Sequence, residues 1–411
     1  MDHLSQKTGI EVFEGHKAET LFKSIAGVAV TSNYSFALWK NPVSEEINCL
    51  VDISPEPKWC RPEIESMNPG FIFSPFQNND NERVLFLEAD MHFRWKPGSR
   101  WHLNDGMNYE KSRKADEFLE RVHQAIREND LFQPACFTVP GSIPRDSGKA
   151  HYIQMIRNSI SAIKSGTFDK VVPSRRKIIK FRKPADPVHA FLSIGRTYPN
   201  SFVSLTSTPV TGTWIGASPE VLISVENNEI FQTASVAGTQ SFKPRVKLSE
   251  VTWTQKEIEE QALVSRYIIN CFKKIRLREF SENGPKTVKA GNLLHLKTLF
   301  SVNLTETNFP LLGSVMLKLL HPTSAVCGMP RQQALDFLQE EENYDRQYYS
   351  GYLGPVRIDH KTGLYVNIRC GRIQQDHAVF FAGAGVTIDS IPHKEWKETE
   401  VKIQSIARFF K

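Results

Sequence analysis

The sequence predicts an α+β fold. Three observations carry this. Strand-like and helix-like segments are mixed along the chain without the regular βαβ alternation of a doubly wound sheet. The first third shows short strand-like runs between Pro- and Asn-rich stretches, the pattern of an antiparallel sheet with variable loops. No repeat appears at the periods that mark solenoids or propellers.

In the first third, Gly27–Thr31 (GVAVT), Gly70–Phe73 (GFIF) and Val84–Leu87 (VLFL) read as strands. Phe118, Val122 and Ile126 share a helical face, which predicts a helix over Lys114–Glu128. The Pro-, Gly- and Ser-rich segment Pro134–Gly148 reads as a connection. Ile153, Ile156, Ile160 and Ile163 then predict a helix over His151–Lys164, stopped near Gly166. Lys170–Phe181 reads as a strand in which Pro173 demands an edge, a bulge or a break. Phe202–Ser207 and Val221–Val225 read as strands on either side of a turn, GASPE. Gln255–Arg278 is a long predicted helix, acidic at its start and basic at its end, which suits the helix dipole. A helix over Leu335–Glu341, strands over Leu364–Arg369 and Ala378–Phe381, and a closing helix over Lys394–Phe410 complete the reading.

The 411 residues are 40% hydrophobic and 23% charged, which excludes a disordered or collagen-like chain. The N-terminal MDHLSQKTGIEVFEG lacks the apolar segment of a secretory signal, and no apolar run reaches the ~20 residues of a membrane span. Six scattered cysteines without a CxxC pair predict a reduced, cytoplasmic protein. The net charge of +6 leaves three partner classes open: nucleic acid, an anionic membrane or a small acidic ligand.

Single motifs decide little. AGAGV (Ala382–Val386) follows a strand, but its glycine spacing fails the dinucleotide fingerprint. Close backbone approach is the other use of such glycines. Glu398 and Lys402 share one face of the closing helix, and taken alone they read as a solvated i,i+4 pair. The acidic residues Glu257 and Glu260 read the same way, and Glu340–Glu342 reads as a solvated helical turn. His295 and His321, each beside apolar residues, read as core histidines. Arg369 lies in an apolar segment (YVNIRCG), where an inward arginine needs a partner such as a carboxylate ligand.

In order, KVVPSR, GASPE, VAGT, KEIEEQ, LLHL, HPTSAVCGMP, ENYDRQYYSGYLG, NIRCG, FAGAGV and EWKETEVK are far more specific. Together they resemble the chorismate-utilising enzymes: isochorismate and salicylate synthases and the large subunits of anthranilate and aminodeoxychorismate synthase. The resemblance covers about residue 151 to the C-terminus and touches the first 140 residues only through GFIFSPF. It implies one layered catalytic body over residues 1–411, with antiparallel sheets flanked by helices. Residues 1–140 form its variable, sheet-forming part and 151–411 its motif-bearing part.

Two positions discriminate within the family. Water-using members carry lysine where KVVPSR begins, and here it is Lys170; ammonia-using members carry glutamine. Aminodeoxychorismate enzymes place a nucleophilic lysine before the GT of VAGT, and here it is Ala237. The resemblance therefore implies a Mg²⁺-dependent isochorismate synthase, adding water at C2 of chorismate while the C4 hydroxyl leaves. The product would feed menaquinone or catechol siderophore synthesis.

By resemblance, Lys170 is the base, which desolvation or nearby cations must keep partly neutral, and Glu220 is the acid, which needs a raised pKa. Glu260 and Glu398 match Mg²⁺ ligands. Arg369 and Lys402 match contacts to substrate carboxylate, and Gly238, Thr239 and Gly385 match backbone donors to it. His295 matches a histidine beside the ring hydroxyl, and Ala325 and Tyr349 complete the substrate positions. The resemblance implies no glutaminase, membrane or nucleic-acid partner, and a monomer or weak homodimer.

Salicylate synthase is the nearest alternative. Such relatives tend to have threonine near Ala325 and tyrosine near Tyr349, and this chain has only the second. Anthranilate synthase is disfavoured by Lys170, and nucleic-acid binding by the scatter of lysine and arginine. Pro173, and Ser235 in place of a proline before Val236, depart from the family pattern.

Overall fold

A computed structural model describes residues 16–77, 83–99, 101–105, 109–128, 136–139, 146–242, 246–290 and 293–410. Two nine-stranded antiparallel sheets lie face to face. The first runs, edge to edge, His102–Asp105, Met91–Trp95, Ile47–Asp52, Ser35–Lys40, Phe202–Thr208, Gly212–Ser218, Cys370–Ile373, His377–Gly383, Ser174–Lys180. The second runs Ser281–Ala290, Leu293–Asn303, Ile230–Ser241, Val221–Glu226, Lys361–Val366, Tyr352–Val356, Gly70–Ser74, Val84–Glu88, Lys58–Cys60. Aromatic side chains from both fill the space between them, including Trp39, Phe71, Phe73, Phe202, Trp214 and Phe381.

Eight helices flank the sheets among the described residues: α1 (Ala18–Thr31), α2 (Tyr109–Arg127), α3 (Lys149–Lys164), α4 (Pro187–Thr197), α5 (Gln255–Lys274), α6 (Leu312–Leu320), α7 (Arg331–Glu341) and α8 (Pro392–Ala407). α1, α2 and α4 cover the outer face of the first sheet, and α3, α5, α6 and α7 that of the second. α8 touches both layers: Ile403 and Ile406 join the first core and Trp396 packs on the second. Local chemistry sets the helix starts. Thr254 and Glu257 form a capping box on α5. Asp186 caps α4 ahead of Pro187, and Pro392 opens α8.

The α+β expectation holds, with local corrections. Gly27–Thr31 is the last turn of α1, not a strand. Leu21, Phe22, Ile25, Val28 and Ala29 bury one side of a helix against the first sheet, and that packing overrides the β propensity of two valines. GASPE is mostly strand: Gly212–Ser218 is paired on both sides, so only Pro219 and Glu220 turn. Arg369 lies beyond the strand Lys361–Val366, at φ +49°. Glu342 is not solvated but buried, held by Arg346. Most of Pro134–Gly148 lies outside the described residues.

Strands from the first third enter both sheets. Ser35–Lys40 pairs with Phe202–Thr208, and Gly70–Ser74 with Tyr352–Val356. Lys170–Val171 pairs with Gly328–Met329, and the chain breaks at Val172–Pro173 before resuming as the edge strand Ser174–Lys180. The break expected at Pro173 is therefore present, and it frees Lys170 from the large sheet.

Strand packing is tight at Gly354, where φ is +151° and an added Cβ would stand 2.0 Å from the Gly363 carbonyl oxygen. Gly354→Ala is expected to cost about 2–4 kcal/mol of stability through backbone strain and overpacking. Equilibrium urea unfolding checks this; a loss under about 0.5 kcal/mol would show that the ladder yields.

Candidate active site

The site forms where two neighbouring strands leave one sheet for the other. Gly212–Ser218 and Cys370–Ile373 are partners in the first sheet, with Gly216 opposite Cys370. Val221–Glu226 and Lys361–Val366 are partners in the second, with Val221 opposite Tyr365. Pro219–Glu220 makes one crossing and Asn367–Arg369 the other. The Val366 amide donates to the Glu220 carbonyl (3.1 Å), and the Ala217 amide to the Arg369 carbonyl (3.1 Å). The crossing delivers Glu220 and Arg369 to the same opening.

Ten of the twelve residues expected from the sequence line one cavity of about 250 Å³: Glu220, Gly238, Glu260, His295, Ala325, Tyr349, Arg369, Gly385, Glu398 and Lys402. That is the scale of a small-molecule site. Lys170, 1% exposed, reaches the same place and donates from Nζ to Glu260 Oε1 at 2.8 Å. Thr239 follows Gly238 in its strand, and its side chain lies outside the described residues. Gly238 sits at φ +67° in a bulge where the register shifts between Ala237 and Gln240. Gly385 is small because a Cβ there would come 2.9 Å from Glu260 Oε1 and 3.1 Å from Lys170 Cε. The close-approach reading of AGAGV is the correct one.

Paired charges dominate the walls. Lys402 Nζ is 2.8 Å from Glu398 Oε1 and donates to the Gly383 carbonyl at 2.9 Å. Arg369 donates from Nη2 to His295 Nε2 at 3.0 Å, while His295 Nδ1 lies 2.8 Å from the Gly238 carbonyl. A carbonyl only accepts, so Nδ1 carries the proton and Nε2 accepts from the guanidinium. Burial, reinforced by Arg369, lowers the His295 pKa to about 3, so the ring is neutral at pH 7. Burial also pulls Arg369 down to about 10, still cationic.

Glu220 and Glu260 diverge. Burial raises Glu220 to about 7, against the opposing pull of the Thr323 hydroxyl and of Lys170, Lys402 and Arg369. Burial also pushes Glu260 up, but the charge and hydrogen bond of Lys170, with Lys402 and Lys256, hold it below the ordinary carboxylate range. One carboxyl keeps a proton near neutrality and the other stays ionised, which is the division an acid catalyst and a cation ligand require.

The sequence reading missed several wall residues. Lys256 and Glu257 line the cavity one turn before Glu260, and i,i+3 and i,i+4 spacing on α5 was the available signal. Thr323, within HPTSAV, does not line the cavity but donates to Glu220 Oε1 at 3.3 Å.

The donor set fits Mg²⁺. Glu260 and Glu398 bring carboxylate oxygens from α5 and α8 to one cavity. No group of three or more His, Cys, Asp or Glu able to hold a metal occurs among the described residues. Mg²⁺ is commonly bound by one or two carboxylates plus substrate and water rather than by an all-protein cage.

The two sheets thus frame one cavity in which a protonated carboxyl, basic side chains and further carboxylates meet. The model of the chorismate binding enzyme family matches residues 81–411, and the chain belongs to that family. Over 200 residues it is 29% identical to the vibriobactin-specific isochorismate synthase of Vibrio cholerae, covering 47% of this chain and 49% of that one. Over 264 residues it is 28% identical to the isochorismate synthase MenF of Haemophilus influenzae, covering 62% and 59%. The chain thus spans only about half to three-fifths of the curated relatives it matches. The fold is that of the menaquinone-specific isochorismate synthase MenF of Escherichia coli, at TM-score 0.75, 20% identity and 97% and 92% coverage. It is also that of anthranilate synthase component I from Streptococcus pneumoniae, at TM-score 0.66, 19% identity and 91% and 92% coverage.

The Glu220 shift has a direct consequence for stability. Between about pH 4.5 and 7 the native carboxyl keeps a proton that the unfolded chain has released, so this residue's contribution to stability falls as pH rises. Glu220→Gln removes that dependence. Its stability relative to wild type is expected to improve by roughly 3 kcal/mol between pH 4 and pH 8. Denaturant titrations of both proteins check this, and a constant difference would refute the raised pKa.

Proposed function

We propose that this protein is an isochorismate synthase that converts chorismate to isochorismate with Mg²⁺. The observation that carries the reading is Glu220, a carboxyl held protonated near neutral pH by burial, at one cavity with the basic side chains of Lys170, Arg369 and Lys402. The curated relatives described above are named isochorismate synthases, which supports it.

In the proposed reaction a water oxygen bonds to C2 of the ring, both double bonds of the ring diene shift (C1=C2 to C1=C6 and C5=C6 to C4=C5), and the C4–O bond breaks so that the C4 oxygen departs as water. The neutral amine of Lys170 takes the proton from the attacking water and Glu220 gives a proton to the leaving hydroxyl. Arg369, fixed by His295, and Lys402 orient the substrate carboxylates, with the backbone at Gly238, Thr239 and Gly385 donating to their oxygens. Mg²⁺ held by Glu260 and Glu398 would neutralise carboxylate charge in the closed site. Ala237 lines the cavity where a covalent amine route needs a nucleophile, and its methyl group offers none. Tyr349, stacked on Phe381 at 5.4 Å, and Ala325 form an apolar part of the wall.

Residues 1–411 act in this reading as one catalytic body, because strands of the first third complete both sheets around the cavity. The reading includes a cytoplasmic enzyme, monomeric or weakly dimeric, without glutaminase, membrane or nucleic-acid partner. Six free cysteines suit a reducing compartment. No helix of the described residues is long and apolar enough to cross a membrane. Menaquinone and catechol siderophores are the routes such a product would supply.

Chromatography of the products from chorismate and Mg²⁺ tests the reading. Isochorismate as main product is expected; salicylate with pyruvate, or anthranilate in the presence of ammonia, would overturn it. Lys170→Ala is expected to lower kcat by at least about 10²-fold while the protein still folds. Near-normal turnover in that variant would remove Lys170 as base. Glu398→Gln is expected to raise the Mg²⁺ concentration for half-maximal rate about 10-fold or more. An unchanged Mg²⁺ titration would remove Glu398 as ligand.

A further inference from the structure

We propose that Arg175 is a positioning residue that fixes the rotation of α8 about its own axis and so aims Glu398 and Lys402 into the cavity. The inference rests on the reading of those two residues as metal- and substrate-binding groups.

The argument begins with helical geometry. Successive residues advance about 100° around the axis. Trp396, Thr399 and Glu400 therefore fall within an arc of about 100°, and Glu398 and Lys402 point about 150° and 110° away from its middle. Arg175 grips all three residues on the rear arc. Its Nε donates to Thr399 Oγ1 at 2.7 Å, its guanidinium carbon lies 3.9 Å over the Trp396 ring, and its Nη2 bonds Glu400. Lys177, two residues along the same strand, reaches the other Glu400 oxygen at 2.8 Å.

This is a built contact rather than a surface pairing. Arg175 is 1% exposed and Thr399 is fully buried. The planar guanidinium stacks and donates at once, which lysine cannot reproduce. Tyr152 of α3 closes the arrangement: its hydroxyl donates to the Pro173 carbonyl at 3.2 Å, and its ring meets Trp396 edge-on at 5.9 Å. Arg175 also stands five residues after Lys170, just past the break at Pro173. The segment that presents the base thus also sets the helix that presents Glu398.

Rotation is the sensitive coordinate. An atom 5–6 Å from a helix axis moves about 1 Å for a roll of 10°. A misplacement of about 1 Å can cost about 10²-fold in rate. Ile403, Ile406 and Ala407 anchor the C-terminal half of α8 in the first core. Loss of the Arg175 contacts therefore leaves α8 docked and loosens the half that carries Glu398.

The test reads metal binding without turnover. Mn²⁺ is titrated into chorismate-free protein and free Mn²⁺ is followed by electron paramagnetic resonance, for wild type, Arg175→Lys, Thr399→Val and Phe118→Leu. Phe118→Leu, in α2 beside Tyr34, is a control that lowers the melting temperature without touching the Arg175 contacts. Arg175→Lys is expected to weaken Mn²⁺ binding at least about 5-fold, lower kcat and raise the KM for chorismate. Thr399→Val should act in the same direction and more weakly, and it carries the test if Arg175→Lys does not fold. Phe118→Leu should leave the Mn²⁺ affinity unchanged. Mn²⁺ affinities within twofold of wild type in both α8-contact variants, or an equal loss in Phe118→Leu, would overturn the proposal. Wild-type protein that binds Mn²⁺ but does not convert chorismate would overturn the proposed function and leave this inference standing. Wild-type protein that binds no Mn²⁺ would overturn this inference.

Discussion

Charge taken out of water must be paired, and the site depends on how that pairing is met. Two largely apolar sheets with α5 and α8 bring Lys170, Arg369, Lys402, Glu220, Glu260 and Glu398 to one cavity, the first two and Glu220 buried and the others partly so. An unpaired buried ion costs several kcal/mol, so each wall residue is found with a partner. Lys170 takes Glu260, Lys402 takes Glu398, and Arg369 takes the neutral ring of His295. Glu220 has a hydroxyl, Thr323, for its hydrogen bond, and its cations act from further off. It therefore solves the same problem by keeping a proton. The difference in protonation between the two carboxyls follows from which one has a lysine at hydrogen-bond distance.

The backbone arrangement makes that cavity possible. A sandwich whose strands all stayed in their own sheets would be filled by side chains throughout, as the aromatic layer between the sheets is elsewhere. Here two adjacent strands change sheets together, and the seam needs side chains on both crossings. Glu220 sits on one and Arg369, at φ +49°, on the other. The positive φ at a non-glycine residue is a local cost of about 1–3 kcal/mol, retained where the surrounding structure fixes it.

Much of this was legible in the sequence, but unevenly. The long helices and the break at Pro173 followed from periodicity and from the missing amide of proline. Ten of the twelve expected site residues meet in one cavity, and Lys170 reaches it, because ordered motifs named them together. Taken singly, Glu398 and Lys402 looked like a solvent pair, since i,i+4 spacing is the same on either side of a helix. Glu342 was misread as solvated for a related reason: its acidic neighbours face water, while Arg346, four residues on, draws it inside. The long hairpin strands Ser281–Ala290 and Leu293–Asn303 went unseen, as their outer face is polar and they lack clean alternation. Gly27–Thr31 failed because packing against a sheet, not local propensity, decided it.

The weaving of the first third into both sheets has a consequence for how the polypeptide acquires its shape. Gly70–Ser74 finds its partner at Tyr352–Val356, and Ser35–Lys40 waits for Phe202–Thr208. On a ribosome, the earlier strand of each pair emerges long before its mate and carries open hydrogen-bonding edges in the interval. Such distant pairing makes folding slow and exposes intermediates to aggregation. Assembly of the second sheet must await synthesis beyond residue 366, and until then nascent chains are natural clients for chaperones.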